Sequence, residues 1–495
     1  MMTIREQLTF IAKNRIIILD GAMGSIIRSL NPGEPCIDNL CLTNPQVIAG
    51  IHDLYLEAGA DIISTCSFNS TSISLSDYGL GSKAYEISAA AAQIARESAK
   101  KFSTSDKPRF IAGSIGPTAK GASLFSDINN PCKHSINWDE LETAYYDNAR
   151  GLLDGGADIL LVETVFDTLN AKAALFSINR LMIERQIDIP VIISAAVSCI
   201  VNNGIVNNGI ASNDIAYNEK AGRLLSGQSL EAFCTSISHI NPLAIGINCS
   251  FDAQTILPLV RTVSKISPCL VIAYPNAGLP NNQGIYKETP QTMTAKIEEY
   301  FKENLVNIIG GCCGSTPAHI EAIAKKAAGY KPRLLSCTIR SEKQGITLSG
   351  LEPLYLDGNS INISAMTNPK NSEDLRQALA AGEYEDAADI ARDIIEGDSG
   401  LNGAPVLCIE IDDSQALSKF LDYALLNPYI AKAPFYIKSS GFDVIKTGLK
   451  RLQGKGLAGP VNNIDEARQI IRYGAVPVVT TKNELDNCPE AIIVI

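Results

Sequence analysis

Short apolar runs alternate with amphipathic stretches over the first 330 residues or so, and a turn rich in Gly, Asn, Ser or Thr follows each run. The runs occupy residues 16–19, 61–65, 109–114, 159–162, 191–195, 243–247, 270–273 and 306–309. Continuously apolar runs with helical stretches between them are typical of parallel strands buried on both faces. Eight such units predict a (β/α)8 TIM barrel, an α/β fold. The alternative is an open doubly wound sheet, but no GxGxxG follows the first run, which disfavours its dinucleotide-binding form.

The pattern changes at two places. Residues 199–222 are rich in Asn, Gly, Ile and Val and contain the near-repeat VNNGIVNNGI, which we interpret as an inserted loop or hairpin over the barrel mouth. Residues 329–349 are basic and lack a clear apolar period, which is typical of a linker. We therefore expect a barrel over residues 1–328 and a linker over residues 329–349.

The apolar pattern resumes in residues 350–495. Runs at 362–365, 406–411, 435–438, 476–480 and 491–495 predict strands, with helices at 371–381, 384–396, 415–426 and 464–473. About 145 residues are too few for a second complete barrel, so we expect a smaller, incomplete α/β domain. An unfinished barrel leaves a strand edge that the same chain or a second copy must cover, which admits a homo-oligomer.

Composition narrows the class of protein. With 46% hydrophobic and 19% charged residues, the chain has enough apolar material for sizeable cores, which excludes a wholly disordered chain. A net charge of −11 without basic runs disfavours binding to nucleic acid or to an anionic membrane surface. The apolar runs are shorter than a membrane helix, and the first residues lack a signal-peptide core. The expectation is a soluble, cytoplasmic protein.

Small and polar residues follow the predicted strands, where a barrel of this type carries its reactive groups. Asp20 and Glu163 are candidates for binding an ammonium group, although either could instead cap a loop. Ser114 and Ser194 could donate hydrogen bonds to a ligand carboxylate, or could satisfy only the local backbone. Asn248 also ends a predicted strand and is a candidate substrate contact.

Three of the thirteen cysteines stand at strand ends that a closed barrel would bring together: Cys249, Cys312 and Cys313. Three thiolates form a soft site that suits Zn²⁺ with one tetrahedral position open. Such a site activates water poorly but can keep an incoming thiol nucleophilic near neutral pH, which favours alkyl transfer over hydrolysis. The alternative is three unrelated buried thiols. We expect Cys66 to be a buried thiol and His319 to lie on a helix surface.

Several stretches resemble the homocysteine-binding barrel of cobalamin-dependent methionine synthase. They are ILDGAMGS (18–25), GADIISTCSFNST (59–71), GSIGPT (113–118), GADILLVETVFDTLNAKAA (156–174), LSGQSLEAF (225–233), GINCS (246–250), PNAGLP (275–280) and NIIGGCCGSTPAHI (307–320). The resemblance implies a zinc ion held by Cys249, Cys312 and Cys313. It also places Asp20, Gly21 and Glu163 in the homocysteine pocket. Cys66 departs from the family, which usually has Asn there.

The rest of the chain resembles the methyltetrahydrofolate-binding barrel of the same family. The traces are LSGLEPL (348–354), INISAMTN (361–368), GEYEDAADIAR (382–392), YIKSSGFDVIKTGLKRLQGKG (436–456) and ARQIIRYGA (467–475). Cys-Ile-Glu at 408–410 replaces the family's Asp-x-Asn, and Lys-Ser-Ser at 438–440 replaces its Asp-Ser-Ser. An ammonium group cannot accept the hydrogen bonds of pterin N–H donors, so we predict no productive folate binding.

The resemblance predicts a zinc-dependent homocysteine S-methyltransferase that forms methionine. The four histidines do not fit the family's Asp-x-His-x-x-Gly motif for cobalamin. We therefore expect methylcobalamin to act in trans, carried by a separate corrinoid protein as partner. One alternative is a corrinoid-independent enzyme that uses S-methylmethionine or betaine. Another is a non-catalytic subunit that binds homocysteine or zinc.

Overall fold

The computed structural model describes residues 2–30, 33–124, 130–202, 205–207, 222–281, 283–335, 345–356, 360–361, 372–397, 406–480, 488 and 491–494. Two parallel sheets dominate these residues, one on each side of the predicted linker. In the described part of the chain, no helix combines the length and the apolar character that crossing a membrane requires.

The first sheet contains eight parallel strands in a circular order. They are β1 (Ile17–Ile18), β2 (Ile62–Ser64), β3 (Phe110–Ile115), β4 (Ile159–Val165), β5 (Val191–Ala195), β6 (Ala244–Asp252), β7 (Leu270–Asn276) and β8 (Ile308–Ile309). Their spatial order is β1-β8-β7-β6-β5-β4-β3-β2. The ring closes between β1 and β2, where Asp61 N donates to Ile18 O at 2.7 Å and a parallel bridge joins Leu19 to Ile62. The predicted (β/α)8 barrel, followed by a smaller α/β region, is confirmed.

The strands are apolar over most of their length because they are covered on both sides. Alternate side chains such as Ile17, Phe110 and Ile272 fill the interior of the barrel, and helix Ile4–Asn14 contributes Leu8 to the same core. The intervening side chains, among them Ile111, pack outward against the helices. Each full burial of such a side chain stabilises the fold by roughly 1.5–3 kcal/mol.

Helices connect the barrel strands and cover their outer face. The α-helices are Ile4–Asn14, Met23–Leu30, Leu40–Thr43, Pro45–Glu57, Ser72–Ser76, Ala84–Phe102, Trp138–Asp154, Thr168–Arg185, Leu230–Ser236, Ala253–Ile266, Pro290–Lys302 and Pro317–Ala327, and the 3-10 helices are Ile37–Asn39, Gly81–Lys83 and Ser238–Ile240. Polar caps begin several of them; Asn137 accepts from Glu140 N at 3.0 Å in a capping box, and Asp167 accepts from Leu169 N at 2.9 Å.

The predicted insertion after β5 contains a small antiparallel sheet. Its strands are Cys199–Asn202, Ile205–Asn207 and Gly222–Arg223, and the first of them pairs with both others. Residues 203–204 and 208–221 of this segment lie outside the described residues. Because β5 ends at the carboxyl edge of the barrel, the insertion starts on the side where the candidate site residues are found.

The second sheet has six parallel strands. They are β9 (Ser360–Ile361), β10 (Leu407–Ile409), β11 (Phe435–Lys438), β12 (Leu457–Gly459), β13 (Val476–Val479) and β14 (Ile492–Val494). Their order is β9-β14-β13-β12-β11-β10, which is circular except that β9 and β10 do not pair within the described residues. Inward side chains such as Tyr436, Val476 and Ile492 share a core with Leu348, which comes from the hairpin formed by Thr347–Ser349 and Pro353–Tyr355.

Helices surround this second sheet at Glu373–Ala381, Tyr384–Gly397, Ser414–Ala424, Pro428–Lys432, Phe442–Leu449 and Ile464–Arg472. The strand predicted at 362–365 lies outside the described residues. The pattern did not predict β12, because Leu457-Ala458-Gly459 stands between Gly456 and Pro460 and has the composition of a turn.

Both ends of the predicted linker belong to packed structure. Arg333 is buried against the barrel and donates to the carbonyl oxygens of Ser264, Ser267 and Cys269 at 2.7–3.0 Å. At the other end, Thr347–Ser349 is a strand of the second domain. The domain boundaries at 328 and 350 stay a prediction.

The second domain packs directly against helix Thr168–Arg185 of the barrel. The buried Lys172 Nζ donates to Leu452 O at 2.8 Å and to Gly454 O at 2.9 Å. Nearby, the ring of Tyr473 lies 4.6 Å from that of Phe176 and 5.5 Å from that of Trp138, measured between centroids. This contact combines apolar packing with hydrogen bonds from a buried lysine.

Candidate metal centre and substrate pocket

Three cysteine sulfurs meet at the carboxyl edge of the barrel. Cys249 lies near the end of β6, while Cys312 and Cys313 follow β8, and β7 pairs with both of these strands. The three Sγ atoms all lie within 4.8 Å of one another, and those of Cys249 and Cys313 are 3.8 Å apart. Among the described residues, this is the one group of three or more His, Cys, Asp or Glu side chains close enough to share a metal ion.

The backbone around Cys249 is strained. Cys249 and Ser250 have φ values of 54° and 62°, and the register between β6 and β7 shifts between Pro275 and Asn276. Left-handed φ is uncommon for residues other than glycine, and a bulge in a strand redirects the side chains it carries. Strain of this kind concentrates at functional sites. Here the strained residue is Cys249 itself, whose sulfur lies close to the other two.

Gly314, which follows the cysteine pair, makes room for an aromatic ring. Gly314 has φ +80°, and a Cβ there would collide with the ring of Tyr286. Tyr286 lies in the loop between β7 and helix Pro290–Lys302. Backbone hydrogen bonds fix the same region, since Cys312 N donates to Pro275 O and Ala277 N donates to Cys313 O, at 2.8 and 2.9 Å.

The sulfurs change one another's acidity. Hydrogen bonds from Cys249 and Cys312 lower the pKa of the Cys313 thiol well below its usual range. The hydrogen bond between Cys249 and Cys312 raises the pKa of the Cys312 thiol. A bound cation would favour the thiolate form of all three. The donor set suits Zn²⁺, because it offers three sulfurs and leaves a fourth tetrahedral position open.

Glu163 lies on β4 and is buried beside this cluster. Its Oε1 accepts from Ser114 Oγ at 2.5 Å and its Oε2 from Tyr274 Oη at 3.2 Å. Burial raises the pKa of its carboxyl group to about 7. The next residue, Thr164, is a β-branched residue with φ 57°, which is a further strained position at the edge of the barrel.

Asp20 follows β1 and is also buried. Its carboxylate accepts from Ser64 N at 2.7 Å and from Ser64 Oγ at 3.0 Å, so it connects the ends of β1 and β2. Burial raises the pKa of this carboxyl group to about 8. No salt bridge to Asp20 or Glu163 is found within the described ranges. At Gly21, a Cβ would lie 2.7 Å from Ser315 Oγ, so this position admits only glycine without movement of its neighbours.

Asn248 and Ser194 belong to one buried hydrogen-bond network. Asn248 Oδ1 accepts from Ser194 Oγ at 2.7 Å and from Thr164 N at 3.0 Å, and Asn248 Nδ2 donates to Thr164 Oγ1 at 2.8 Å. The same Nδ2 lies 3.9 Å from Cys312 Sγ. The network ties β4, β5 and β6 together directly behind the cysteines. A direct contact between these two side chains and substrate stays a prediction.

Two expectations about other residues have different outcomes. Cys66 is a buried thiol, as expected. The expectation that His319 lies on a helix surface is wrong, since only 5% of it is exposed. Its Nε2 lies 2.9 Å from Glu288 O, because the loop after β7 folds back over the start of helix Pro317–Ala327. His319 therefore holds that loop beside the cysteine pair.

Sequence reasoning missed three residues that complete the site. Tyr274 donates to Glu163, Tyr286 covers Gly314, and Asn276 presents an unpartnered oxygen. All three lie on β7 or in its loop. A signal was available for Tyr274 and Asn276, since both continue the inward-facing alternation of β7 beyond the apolar run that was used to predict it.

Fold and site together define an α/β barrel that carries, at its carboxyl edge, three thiols close enough to share a metal ion and two buried carboxyl groups. The sequence matches the family described as homocysteine S-methyltransferase over residues 17–327, which is the barrel. The chain belongs to this family and is therefore a methyltransferase for which homocysteine is the acceptor.

Solved structures of the homocysteine methyltransferase MmuM from Escherichia coli are similar to part of this chain. The metallated form is 19% identical, with 64% of this chain and 98% of that chain covered and a TM-score of 0.49. The oxidized form is 20% identical, with 63% and 96% covered and a TM-score of 0.48.

Proposed function

We propose that this protein is a zinc-dependent homocysteine S-methyltransferase that forms methionine, with methylcobalamin on a separate corrinoid protein as the methyl donor. The observation that carries the proposal is the convergence of the Cys249, Cys312 and Cys313 sulfurs within 4.8 Å at the edge of a barrel of this family. Two buried carboxyl groups and the strained backbone at Cys249 support the same location.

The three cysteines would hold the zinc ion. When bound there, the ion would keep the homocysteine sulfur deprotonated but still nucleophilic, because three thiolates leave it little positive charge. Cys249 comes from one strand end and the other two cysteines from another, so barrel closure sets their separation. Asn248 donates toward Cys312 and would hold that sulfur in place.

Glu163 and Asp20 would recognise the amino group of homocysteine. Burial raises the pKa of both carboxyl groups, and no cationic side chain of the described chain pairs with them. A substrate ammonium group would restore their charged form and would itself be stabilised by them. Ser114 and Tyr274 orient Glu163 by donating to its two oxygens. The carboxylates thus position the substrate, so that its sulfur points at the methyl donor.

We propose further that the second domain does not bind folate productively. At the carboxyl ends of its strands, Lys438 Nζ lies 3.2 Å from Glu410 Oε2, and Ser439 Oγ donates to Asp412 Oδ1 at 2.8 Å. The positions at which the resembling family recognises a pterin are therefore engaged with one another. A pterin would have to break these contacts to find acceptors for its N–H groups.

One assay tests the proposed function. Zinc-loaded protein is incubated with homocysteine and methylcobalamin, beside the Cys312→Ala variant, and methionine is measured. We expect methionine from the wild type and none above background from the variant; equal rates would overturn the mechanism. Parallel reactions with S-methylmethionine and betaine decide the donor. Tight binding of zinc and homocysteine without methionine from any donor would favour the non-catalytic alternative and contradict the proposal.

A further inference from the structure

Lys296 is the centre of an ion-pair cluster at the carboxyl edge of the barrel. It lies on helix Pro290–Lys302, which follows β7, and its Nζ is 2.7 Å from Asp252 Oδ2. The same Nζ pairs with the carboxylate of Glu288, which lies in the loop before the helix. Asp252 is the last residue of β6 and comes three residues after Cys249. Lys296 therefore joins the strand end that supplies Cys249 to the loop after β7.

The loop after β7 is bound in turn to the segment that carries the cysteine pair. Ala277 N, at the start of this loop, donates to Cys313 O at 2.9 Å. At the other end of the loop, Glu288 O lies 2.9 Å from Nε2 of His319, which belongs to the first turn of the helix after the pair. Ion pairs and hydrogen bonds therefore connect Lys296 to both segments that supply the three sulfurs.

The strained backbone at Cys249 requires such connections. Cys249 and Ser250 both have left-handed φ values, and a strained conformation of this kind persists only when the surrounding structure holds it in place. Just beyond them, Asp252 accepts from Thr255 N at 2.8 Å and pairs with Lys296. Thr255 belongs to the helix that Asp252 itself caps, whereas Lys296 comes from the next unit of the barrel. The lysine thus supplies the non-local support.

Within the described part of the chain, the Glu288 carboxylate has one partner, which is Lys296. The side chain of Glu288 is 13% exposed, and its Oε2 is buried without a hydrogen-bond partner. A nearly buried carboxylate that loses its cation is costly, so without Lys296 the loop would have to move until water reaches Glu288. Such a movement would draw the ring of Tyr286 away from Gly314 and weaken the contact between this loop and the cysteine pair.

We propose that Lys296 is a positioning residue for the metal centre. It holds the end of β6 and the loop after β7 together, so that the three cysteine sulfurs stay close enough to share one zinc ion. The inference rests on the proposed zinc-dependent function, and Lys296 acts through Asp252 and Glu288 rather than on the substrate. A purely electrostatic role gives the opposite expectation, because the loss of a positive charge from this region would attract Zn²⁺ more strongly. The sign of the change in zinc affinity therefore separates the two roles.

The test measures zinc affinity of the full-length protein by competition with a chelator, together with the absorption spectrum of the Co²⁺-substituted protein. Lys296→Met should weaken zinc binding about tenfold, as loss of a residue that orients metal ligands does, and should weaken the Co²⁺ bands that report tetrahedral coordination. Lys296→Arg keeps a cation that can pair with both carboxylates and should recover most of the affinity and the bands. The control is Lys302→Met on the same helix, which breaks the exposed ion pair with Glu299 and should bind zinc as the wild type does.

The outcomes distinguish this inference from the proposed function. If the wild type binds zinc and folded Lys296→Met binds it equally or more tightly, the inference is wrong and the proposed function stands. An equal loss in Lys302→Met, or no recovery in Lys296→Arg, would also overturn the inference. A wild type that binds no zinc would overturn the proposed function and the inference with it. If Lys296→Met does not fold, Lys296→Gln, which keeps a hydrogen-bond donor, should weaken zinc binding by a smaller factor, and unchanged affinity would contradict the assignment.

Discussion

The strand ends of the two domains carry polar groups in very different states. At the edge of the barrel, three sulfurs crowd together, and the carboxyl groups of Asp20 and Glu163 are buried without a salt bridge in the described chain. At the edge of the second sheet, Glu410 pairs with Lys438. The carboxyl groups of the first edge have no charged partner among the described residues, whereas the acid of the second edge is paired with a base.

This difference separates the two edges by a physical criterion. Burial without a salt bridge raises the pKa of Asp20 and Glu163, and such shifted pKa values are common at functional sites. The Glu410–Lys438 pair has no such deficit. Fold alone would not distinguish the two edges, because both are the carboxyl ends of parallel strands.

The largest effect is expected from breaking the sulfur cluster. Cys312→Ala should lose the bound zinc and lower methionine formation more than about a hundredfold, because a metal ligand matters more than the groups that merely orient it. Cys66→Ala is the matched control, since Cys66 is a buried thiol at another strand end of the same barrel. Metal analysis and initial rates check both variants. Full zinc content in Cys312→Ala would contradict the ligand assignment.

A smaller effect is expected from the carboxylates. Glu163→Gln should raise the KM for homocysteine by about ten- to a hundredfold, because one charged hydrogen-bonding partner of the ammonium group is lost. Zinc content should stay at the wild-type level. The control is Glu410→Gln, which makes the same chemical change at the edge of the second domain. Steady-state kinetics should show no difference between this control and the wild type; a similar rise in KM for both variants would remove the contrast between the two edges.

The second domain should show no binding of methyltetrahydrofolate in equilibrium dialysis. The reason is that Lys438 stands where an acceptor for pterin N–H groups is required, and its partner Glu410 is already engaged. Stoichiometric binding to the wild type that Lys438→Ala abolishes would show that this edge is a working site after all.

The smallest effect concerns the contact between the domains. Burial lowers the pKa of Lys172 to about 7. Between pH 7 and the ordinary lysine pKa of 10.5, the unfolded chain binds more protons than the folded protein, so this residue makes the free energy of unfolding rise with pH. The increment that this residue adds to the free energy of unfolding at high pH is lost as the pH falls toward 7. Lys172→Met should remove that slope from a series of urea titrations at different pH values.

The exposed Lys13→Met variant is the control for this prediction and should keep the wild-type slope. If Lys172→Met instead shows the same pH dependence as the wild type, the buried lysine keeps its proton through its hydrogen bonds to Leu452 O and Gly454 O. In that case, the contact would behave as a fixed buried cation rather than a titrating one.

Hydrophobic pattern predicted the frame of the molecule well because buried parallel strands are apolar on both faces. The predicted residues 191–195 and 435–438 coincide with β5 and β11. In contrast, β6 and β7 were predicted to end at 247 and 273 but continue to Asp252 and Asn276. The backbone pairing of β6 and β7 continues past the apolar run, because polar residues of the candidate site are part of these strands. The apolar pattern therefore ends before the polar residues of the candidate site begin.

Residue types predicted the centre of the site, and tertiary structure supplied its surroundings. The strand-end positions of three of the thirteen cysteines suggested the trio, and the family resemblance singled it out. The roles of Tyr286 and His319 depend on a loop that folds back over the cysteines, and no local pattern records that path.

X-ray absorption at the zinc edge tests the central claim most directly. For zinc-loaded protein, the account predicts three sulfur neighbours at about 2.3 Å, contributed by Cys249, Cys312 and Cys313. Addition of homocysteine should raise the number of sulfur neighbours to four. Fewer than three sulfurs in the resting protein, or a number that homocysteine leaves unchanged, would contradict it.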